Sequence, residues 1–332
     1  MITPLQIAFL GSDPIALPLL DWLAGEGRAI GCVTAVFTQP DRPAGRGQKV
    51  LPNAIKSWAL ARGVPVFQPE KLTDEVRAQL AALGADLALV MAYGHILRDK
   101  FIATPRLGAL NLHASILPKY RGASPIQAAI ANGEHETGVT LMRIVRRLDA
   151  GPVADIERVP IAPLDTALEV ETKLSAVCEL LLARTLPRLA RGELAFVPQD
   201  DSAATYCRRL EKDDGALDFA APAAALAARI NGLFPWPACQ VEIDGQPVRF
   251  GLADCLPPQS DAAQPHGYVI GADAAGLLIG TGDGMLRVRR MQRAGGRMLA
   301  AAEFLRGFPI APGRRLVSRP MPALVAAVPL KK

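Results

Sequence analysis

Leu5-Gln6-Ile7-Ala8-Phe9-Leu10-Gly11-Ser12-Asp13-Pro14 is the stretch whose reading decides the fold of the first part of the chain. The apolar run reads as a short buried strand that stops at Gly11. Pro14, with its preset φ and no N–H to satisfy, suits the first turn of a helix. Gly25 and Gly27 stop that helix. A second strand follows over residues 30–38, and further ones over 64–67, 87–92, 108–113 and 138–145, with helical sequence between most of them. Strands alternating with helices predict a parallel sheet covered by helices. A long helix begins at Thr166, where Thr166 and Glu169 have capping-box spacing, and Pro187 punctuates it.

The remainder changes character. After a helix over residues 220–231, short β runs occupy residues 239–243, 248–252, 267–270, 276–279 and 285–290. Turns such as Asp244-Gly245 and Gly282-Asp283-Gly284 separate them, as in a Greek-key or OB-like barrel. The predicted architecture is therefore α/β: a Rossmann-like open sheet with flanking helices over residues 1–191, a linker over 192–204, and a smaller OB-like β-barrel domain over 205–332. No period of twenty to fifty residues repeats, which excludes a solenoid.

Composition sets the outer bounds. Of 332 residues, 50% are apolar and 21% charged, and the mean hydropathy is +0.19, enough for a large core and unlike a disordered or collagen-like chain. The opening apolar run has no basic flank, since the first basic residue is Arg28, and no charge-free apolar run of spanning length occurs. The five cysteines form no C-x-x-C pair, so neither a disulfide framework nor a thiolate zinc site is expected, and reduced thiols in a cytoplasm are. Gly11-Ser12-Asp13-Pro14 has one glycine where a dinucleotide fingerprint needs three. Gly45-Arg46-Gly47-Gln48-Lys49 lacks the spacing and the hydroxyl residue of a phosphate-binding P-loop.

Charge is uneven along the chain. Residues 1–200 carry 21 basic and 20 acidic side chains, residues 201–284 carry 5 and 11, and residues 285–332 carry 11 and one. A net of +10 in the last block fits a polyanionic partner, and equally a solvated Arg-rich surface.

The chemistry concentrates in Asn111-Leu112-His113-Ala114-Ser115-Ile116-Leu117-Pro118-Lys119-Tyr120-Arg121-Gly122. Asn111 and His113, two apart near a strand end, project to the same side, at the sheet edge where ligands bind in open α/β folds. An amide donor beside an imidazole suits a developing oxyanion; a lone His can equally be structural. Asp149, in the turn Leu148-Asp149-Ala150-Gly151, is either a partner for that His or an ordinary turn aspartate.

This string resembles the signature of the folate-dependent formyltransferases. Gln39-Pro40-Asp41-Arg42-Pro43-Ala44-Gly45-Arg46-Gly47, Ala92-Tyr93-Gly94, Thr137-Gly138-Val139-Thr140, Phe234-Pro235-Trp236-Pro237 and Ala301-Ala302-Glu303-Phe304-Leu305 resemble the branch that acts on charged tRNA. The resemblance implies a catalytic trio of Asn111, His113 and Asp149. It implies 10-formyltetrahydrofolate as co-substrate without a metal, and the amino group of methionine on initiator tRNA as acceptor. Ser115, Ile116, Leu117 and Pro118, with the backbone around Met91, Ala92, Tyr93, Gly94 and Ile96, would contact the folate. Arg42, Arg46 and Lys49 of the inserted loop would approach the acceptor stem. Arg287, Arg289, Arg290, Arg293 and Arg297 would meet phosphates, and six such contacts give a log–log salt slope of about five. A cytoplasmic monomer with no membrane association is the expectation.

The chain also departs from the family pattern. Arg146 and Arg147 stand before Leu148-Asp149 where the family places acidic and glycine residues, and they would favour the ionised Asp149 and weaken it as a proton acceptor. Ile116 replaces the commoner Leu, and Asn231-Gly232-Leu233 is unusual ahead of the Pro-Trp-Pro element. Other readings are a formyltransferase for a sugar nucleotide or other small amine, a formyl-folate hydrolase, and a non-catalytic RNA-binding protein on an enzyme scaffold.

Overall fold

The structure, a computed structural model, describes residues 3–44, 49–257 and 265–329. Two compact units form. One comprises Met1–Arg121, Gly138–Val159 and Glu171–Ala204; the other comprises Gly122–Thr137, Pro160–Val170 and Thr205–Lys332.

In the first unit β1 (Leu5–Gly11) leads into a 3-10 turn with Pro14 in its first turn and Asp13 as its cap, then α1 (Leu17–Ala24), which stops at Gly25. β2 (Gly31–Phe37) is followed by an antiparallel hairpin, β3 (Arg42–Ala44) and β4 (Lys49–Leu51). Asn53 caps α2 (Ala54–Ala61) by accepting from Lys56 N, and Thr73 caps α3 (Asp74–Ala82), with β5 (Val66–Phe67) between them. β6 (Leu87–Met91), α4 (Asp99–Ile102) and β7 (Ala109–His113) complete the alternation. Next along the chain come β8 (Arg121–Gly122), α5 (Pro125–Ala131), which belongs to the second unit, β9 (Glu136–Arg143), β10 (Val153–Pro160) and α6 (Ala167–Ala190).

The seven-stranded sheet runs β10-β9-β7-β6-β1-β2-β5. β1, β2, β5, β6 and β7 are parallel, and the mostly apolar, buried β1 and β6 at the centre of the sheet suit strands covered on both faces. These five strands form the parallel sheet the sequence predicts; β9 adds an antiparallel member, pairing with β7 with His113 opposite Thr140. The chain leaves β7 and returns at the same sheet edge, so β9 must run back. β10 escaped the sequence reading because it is a half-buried strand whose charges are paired, Asp155 and Glu157 both with Arg184. Beneath the sheet Leu10, Phe37, Leu80, Val90 and Phe101 join one core, where Phe37 and Phe67 stack at 4.7 Å.

In the second unit β11 (Tyr206–Cys207) precedes α7 (Ala223–Leu233). β12 (Cys239–Ile243), β13 (Gln246–Leu256), β14 (Val269–Ala272), β15 (Leu277–Gly280) and β16 (Met285–Arg293) form an antiparallel sheet in the order β12-β13-β16-β15-β14, the OB-like class the sequence predicts. β17 (Leu299–Ala300) pairs with β16, α8 (Ala301–Gly307) follows, and β18 (Val325–Ala326) pairs with β11. Leu226 and Ile230 of α7 share a core with Phe250, Leu286 and Val288 of the sheet.

The unusual Asn231-Gly232 pair has a physical account. A Cβ on Gly232 would lie 2.6 Å from Ala131 N and 2.8 Å from Gln127 O, so glycine lets α5 and α7 pack closely. That packing places residues 122–137 with the second unit, although they precede residue 192. Asn231 is buried at the irregularity in β13, donating to Ala253 O at 2.9 Å and accepting from Ala253 N at 2.8 Å. Asn231→Leu should lower stability by about 2–4 kcal/mol, because two buried backbone groups lose their partners. Denaturant unfolding measures this; a change under about 0.5 kcal/mol contradicts it.

Burial pushes the thiols of Cys178 and Cys239 up to about 12, so both act as structural apolar side chains. Among the described residues no helix is long and apolar enough to cross a membrane.

Candidate active site

The carboxyl ends of the parallel strands gather the predicted residues of the first unit. β7 lies between β6 and β9, with Val90 and Met142 flanking Asn111. The loops after β6 and β7 are therefore neighbours at the edge where open α/β sheets bind ligands. Asp149 comes from the turn between β9 and β10. The structure thus brings Asp149 to His113 and places Asn111 on the same strand face as His113.

His113 is 6% exposed, and its two ring nitrogens have distinct surroundings. Nε2 lies 2.9 Å from the Tyr120 carbonyl oxygen, which can only accept, so Nε2 carries a hydrogen. Nδ1 lies 3.7 Å from an Asp149 carboxylate oxygen. That is too long for a direct hydrogen bond and short enough for one atom offset from the line to touch both. Nδ1 is thus the working edge of the ring: a lone pair when the ring is neutral, a second donor beside a carboxylate when it is protonated.

Asp149 is 13% exposed and adopts a left-handed backbone, φ +47°, a conformation costing a side-chain-bearing residue on the order of 1 kcal/mol. Two residues on, a Cβ at Gly151 would overlap the Arg143 carbonyl oxygen, so only glycine lets the turn close. Asn111 is half-buried, and no hydrogen bond occupies its side-chain amide among the described residues. The Arg147 guanidinium pairs with Asp201. Arg146 is exposed.

The Ser115–Pro118 loop is pinned rather than open. Thr140 Oγ1 donates to Ser115 O at 2.6 Å and accepts from Leu117 N at 3.2 Å. Ser115 is fully buried, and its hydroxyl donates to Lys119 O at 2.7 Å, so its role is to shape the loop. Leu117 is buried, while Ile116 and Pro118 are half-buried.

After β6, Met91 and Tyr93 are buried, whereas Ala92, Gly94 and Ile96 are exposed. The Tyr93 ring belongs to the core, where burial raises its hydroxyl well above the usual phenol range. Its carbonyl accepts from Gln39 Nε2 at 3.1 Å. Gln39 belongs to the base of the inserted hairpin, held also by Asn53 and Gln68 donating to Gln39 O at 3.0 and 2.9 Å. Arg42 is exposed, 3.5 Å from Gln39 Oε1. Lys49 begins β4, and Arg46 lies outside the described residues.

In the second unit the five predicted phosphate contacts separate into two groups. Arg287 makes a two-pronged ion pair with Asp254, 2.8 and 2.7 Å, and reaches Asp273; Arg289 also pairs with Asp254. Burial would raise the Asp254 carboxyl, yet these guanidiniums hold it below the usual carboxylate range. Arg290, Arg293 and Arg297 are exposed, and Arg293 lies over the Phe308 ring at 5.5 Å.

Sequence reasoning gave no role to Tyr120, whose backbone carbonyl orients the His113 ring, or to Thr140, which pins the Ser115–Pro118 loop. A backbone acceptor carries no sequence signal. Thr140 had one, its place opposite His113 once the two strands are paired. No group of three His, Cys, Asp or Glu suited to a metal ion occurs among the described residues.

An α/β sheet with an Asn and a His on one strand end, faced by an Asp and followed by a small antiparallel domain, defines a class. The formyl transferase family pattern matches residues 5–186 and that family's C-terminal domain matches residues 209–309, so the chain belongs to the formyl transferase family. It is similar to methionyl-tRNA formyltransferase of Ralstonia nicotianae, 40% identical over 330 residues, covering 96% of this chain and 100% of that one. The enzyme of the same name from Methylococcus capsulatus is 41% identical over 313 residues, covering 94% of this chain and 99% of that one. Among solved structures, the sugar 3N-formyl transferase WlaRD, determined with dTDP and 5-N-formyl-THF, matches with a TM-score of 0.61 and 18% identity, over 88% of this chain and 99% of that one. At that identity the likeness is one of fold.

Proposed function

We propose that the protein transfers the formyl group of 10-formyltetrahydrofolate to the amino group of methionine on initiator tRNA. Residues 1–191 perform the transfer, residues 205–332 bind the RNA, and residues 192–204 join them. The observation that carries this reading is His113 Nδ1 facing Asp149 at 3.7 Å, in a chain matched nearly end to end by methionyl-tRNA formyltransferases.

The donor is a substrate, seated between the Ala92–Ile96 and Ser115–Pro118 loops. The neutral methionyl amine attacks the formyl carbon; α-amino groups titrate near 7.7–8.0, roughly, so a neutral fraction is present without strong activation. As the new C–N bond forms, the oxyanion accepts from the Asn111 amide and from Nδ1–H of protonated His113. Asp149 supports that imidazolium and, through a water, relays the proton lost by the attacking nitrogen to the departing folate nitrogen. The C–N bond to the folate then breaks.

RNA binding is assigned mainly to Arg290, Arg293 and Arg297, because Arg287 and Arg289 already face carboxylates. The full slope of five is therefore not expected. Arg293→Ala or Arg297→Ala should reduce the log–log salt slope of the KM for tRNA by about one unit each. Arg287→Ala should change it far less, and equal effects from all three would contradict this division.

Omitting the RNA tests the overall reading. Donor and protein alone should release formate no faster than background; rapid release would mark a hydrolase. Formylation of a free sugar amine in preference to charged tRNA would make the acceptor a small molecule.

A further inference from the structure

Residues 192–204 read as a bare connection, yet they pack along the first unit. Val197 and Val153 exchange both backbone hydrogen bonds, each at 2.8 Å, and two residues later Gln199 sits between a buried cation and the Asp149 turn. Arg121 is 0% exposed; its Nε and Nη2 donate to Gln199 Oε1 at 3.1 and 2.7 Å, and Nη2 also donates to Asp201 at 2.9 Å. The Gln199 amide nitrogen donates to the Asp149 carbonyl at 2.9 Å and to the Gly151 carbonyl at 2.7 Å.

The amide can point only one way. A guanidinium only donates and carbonyls only accept, so the oxygen must face Arg121 and the nitrogen must face the turn. Gln199 therefore grips the turn on both sides of Ala150, at the residue whose left-handed backbone aims its carboxylate at His113. Arg121 directly follows Tyr120, whose carbonyl fixes the His113 ring. One short segment thus holds both members of the pair, one by a backbone oxygen and the other through Gln199.

We infer that Gln199 is a positioning residue for formyl transfer, holding the Asp149 carboxylate at His113 Nδ1. The inference rests on the proposed role of Asp149. Gln199 touches no reacting atom; it acts on the rate through the geometry of the turn.

The test is a double-mutant cycle on the full-length protein. Gln199→Glu keeps the length of the side chain and the acceptor for Arg121, but sets a carboxylate oxygen against two carbonyl oxygens. It should lower kcat about 10- to 100-fold, the scale of a small misplacement of a catalytic group. KM for the donor and for charged tRNA should stay within about twofold. In an Asp149→Asn background the same substitution should cost less than about twofold further, because the group it positions is already gone. An equal loss in both backgrounds overturns the inference, as does an unchanged kcat in Gln199→Glu alone. An Asp149→Asn variant as fast as the parent, with Gln199→Glu slow, shows instead that the proposed role of Asp149 is wrong. Should Gln199→Glu not fold, Gln199→Met, uncharged and of similar length, is carried through the same cycle with the same outcomes.

Discussion

His113→Ala is expected to lower kcat by about 10²–10⁴ while changing KM for donor and tRNA by much less. The ring is nearly buried, and the Tyr120 carbonyl anchors its Nε2 edge, so its free nitrogen has one place to act. On the proposed mechanism, alanine removes a donor to the oxyanion and leaves the Asn111 amide alone to stabilise it. On the proposed function, binding of the two substrates falls to other groups, the loops after β6 and β7 and the second unit, which is why kcat carries the loss. Steady-state kinetics with each substrate varied in turn measures this, with thermal unfolding confirming that the variant is folded. A fall of less than about tenfold would mean that the imidazole does not take part in the transfer.

Asp149→Asn should cost a similar factor, about 10²–10⁴ in kcat. The substitution separates charge from shape, because asparagine tolerates the left-handed backbone at φ +47° as aspartate does. The amide NH₂ group can donate to His113 Nδ1, which holds the ring neutral with its only hydrogen committed to the Tyr120 carbonyl. The ring then has no donor left for the oxyanion, and the relay from the attacking nitrogen loses its acceptor. Asp149→Asn and His113→Ala should be far from additive, since either one disables the same unit. A double variant slower by the product of the two losses would show that they act separately.

Much of the fold was legible because its signals are local. β6 is an unbroken apolar run and β1 nearly one, broken only by Gln6, and Pro14 and Gly25 mark the ends of the helical stretch after β1. β10 was not, because Asp155 and Glu157 are masked as surface residues until Arg184 is brought to them from 29 and 27 residues away. The antiparallel turn of β9 is likewise a property of where the chain returns, which no periodicity encodes.

At the site, a spacing of two on a strand places Asn111 beside His113 from sequence alone. Asp149 is legible as a carboxylate in the turn after a strand, but whether it partners His113 or is an ordinary turn residue is left open by the sequence, and Gln199, which holds its turn, is brought from 50 residues away. The Arg-rich terminal block shows the limit of counting charges: Arg287 and Arg289 add to the sum, while Asp254 on the neighbouring strand cancels much of their reach.

Formyl transfer from 10-formyltetrahydrofolate to charged initiator tRNA, set against charged elongator tRNA and free methionine, tests the central claim most directly. Rapid formylation of the initiator, with the elongator and the free amino acid far slower, is the predicted result. Equal rates on all three acceptors, or none on the initiator, would contradict it.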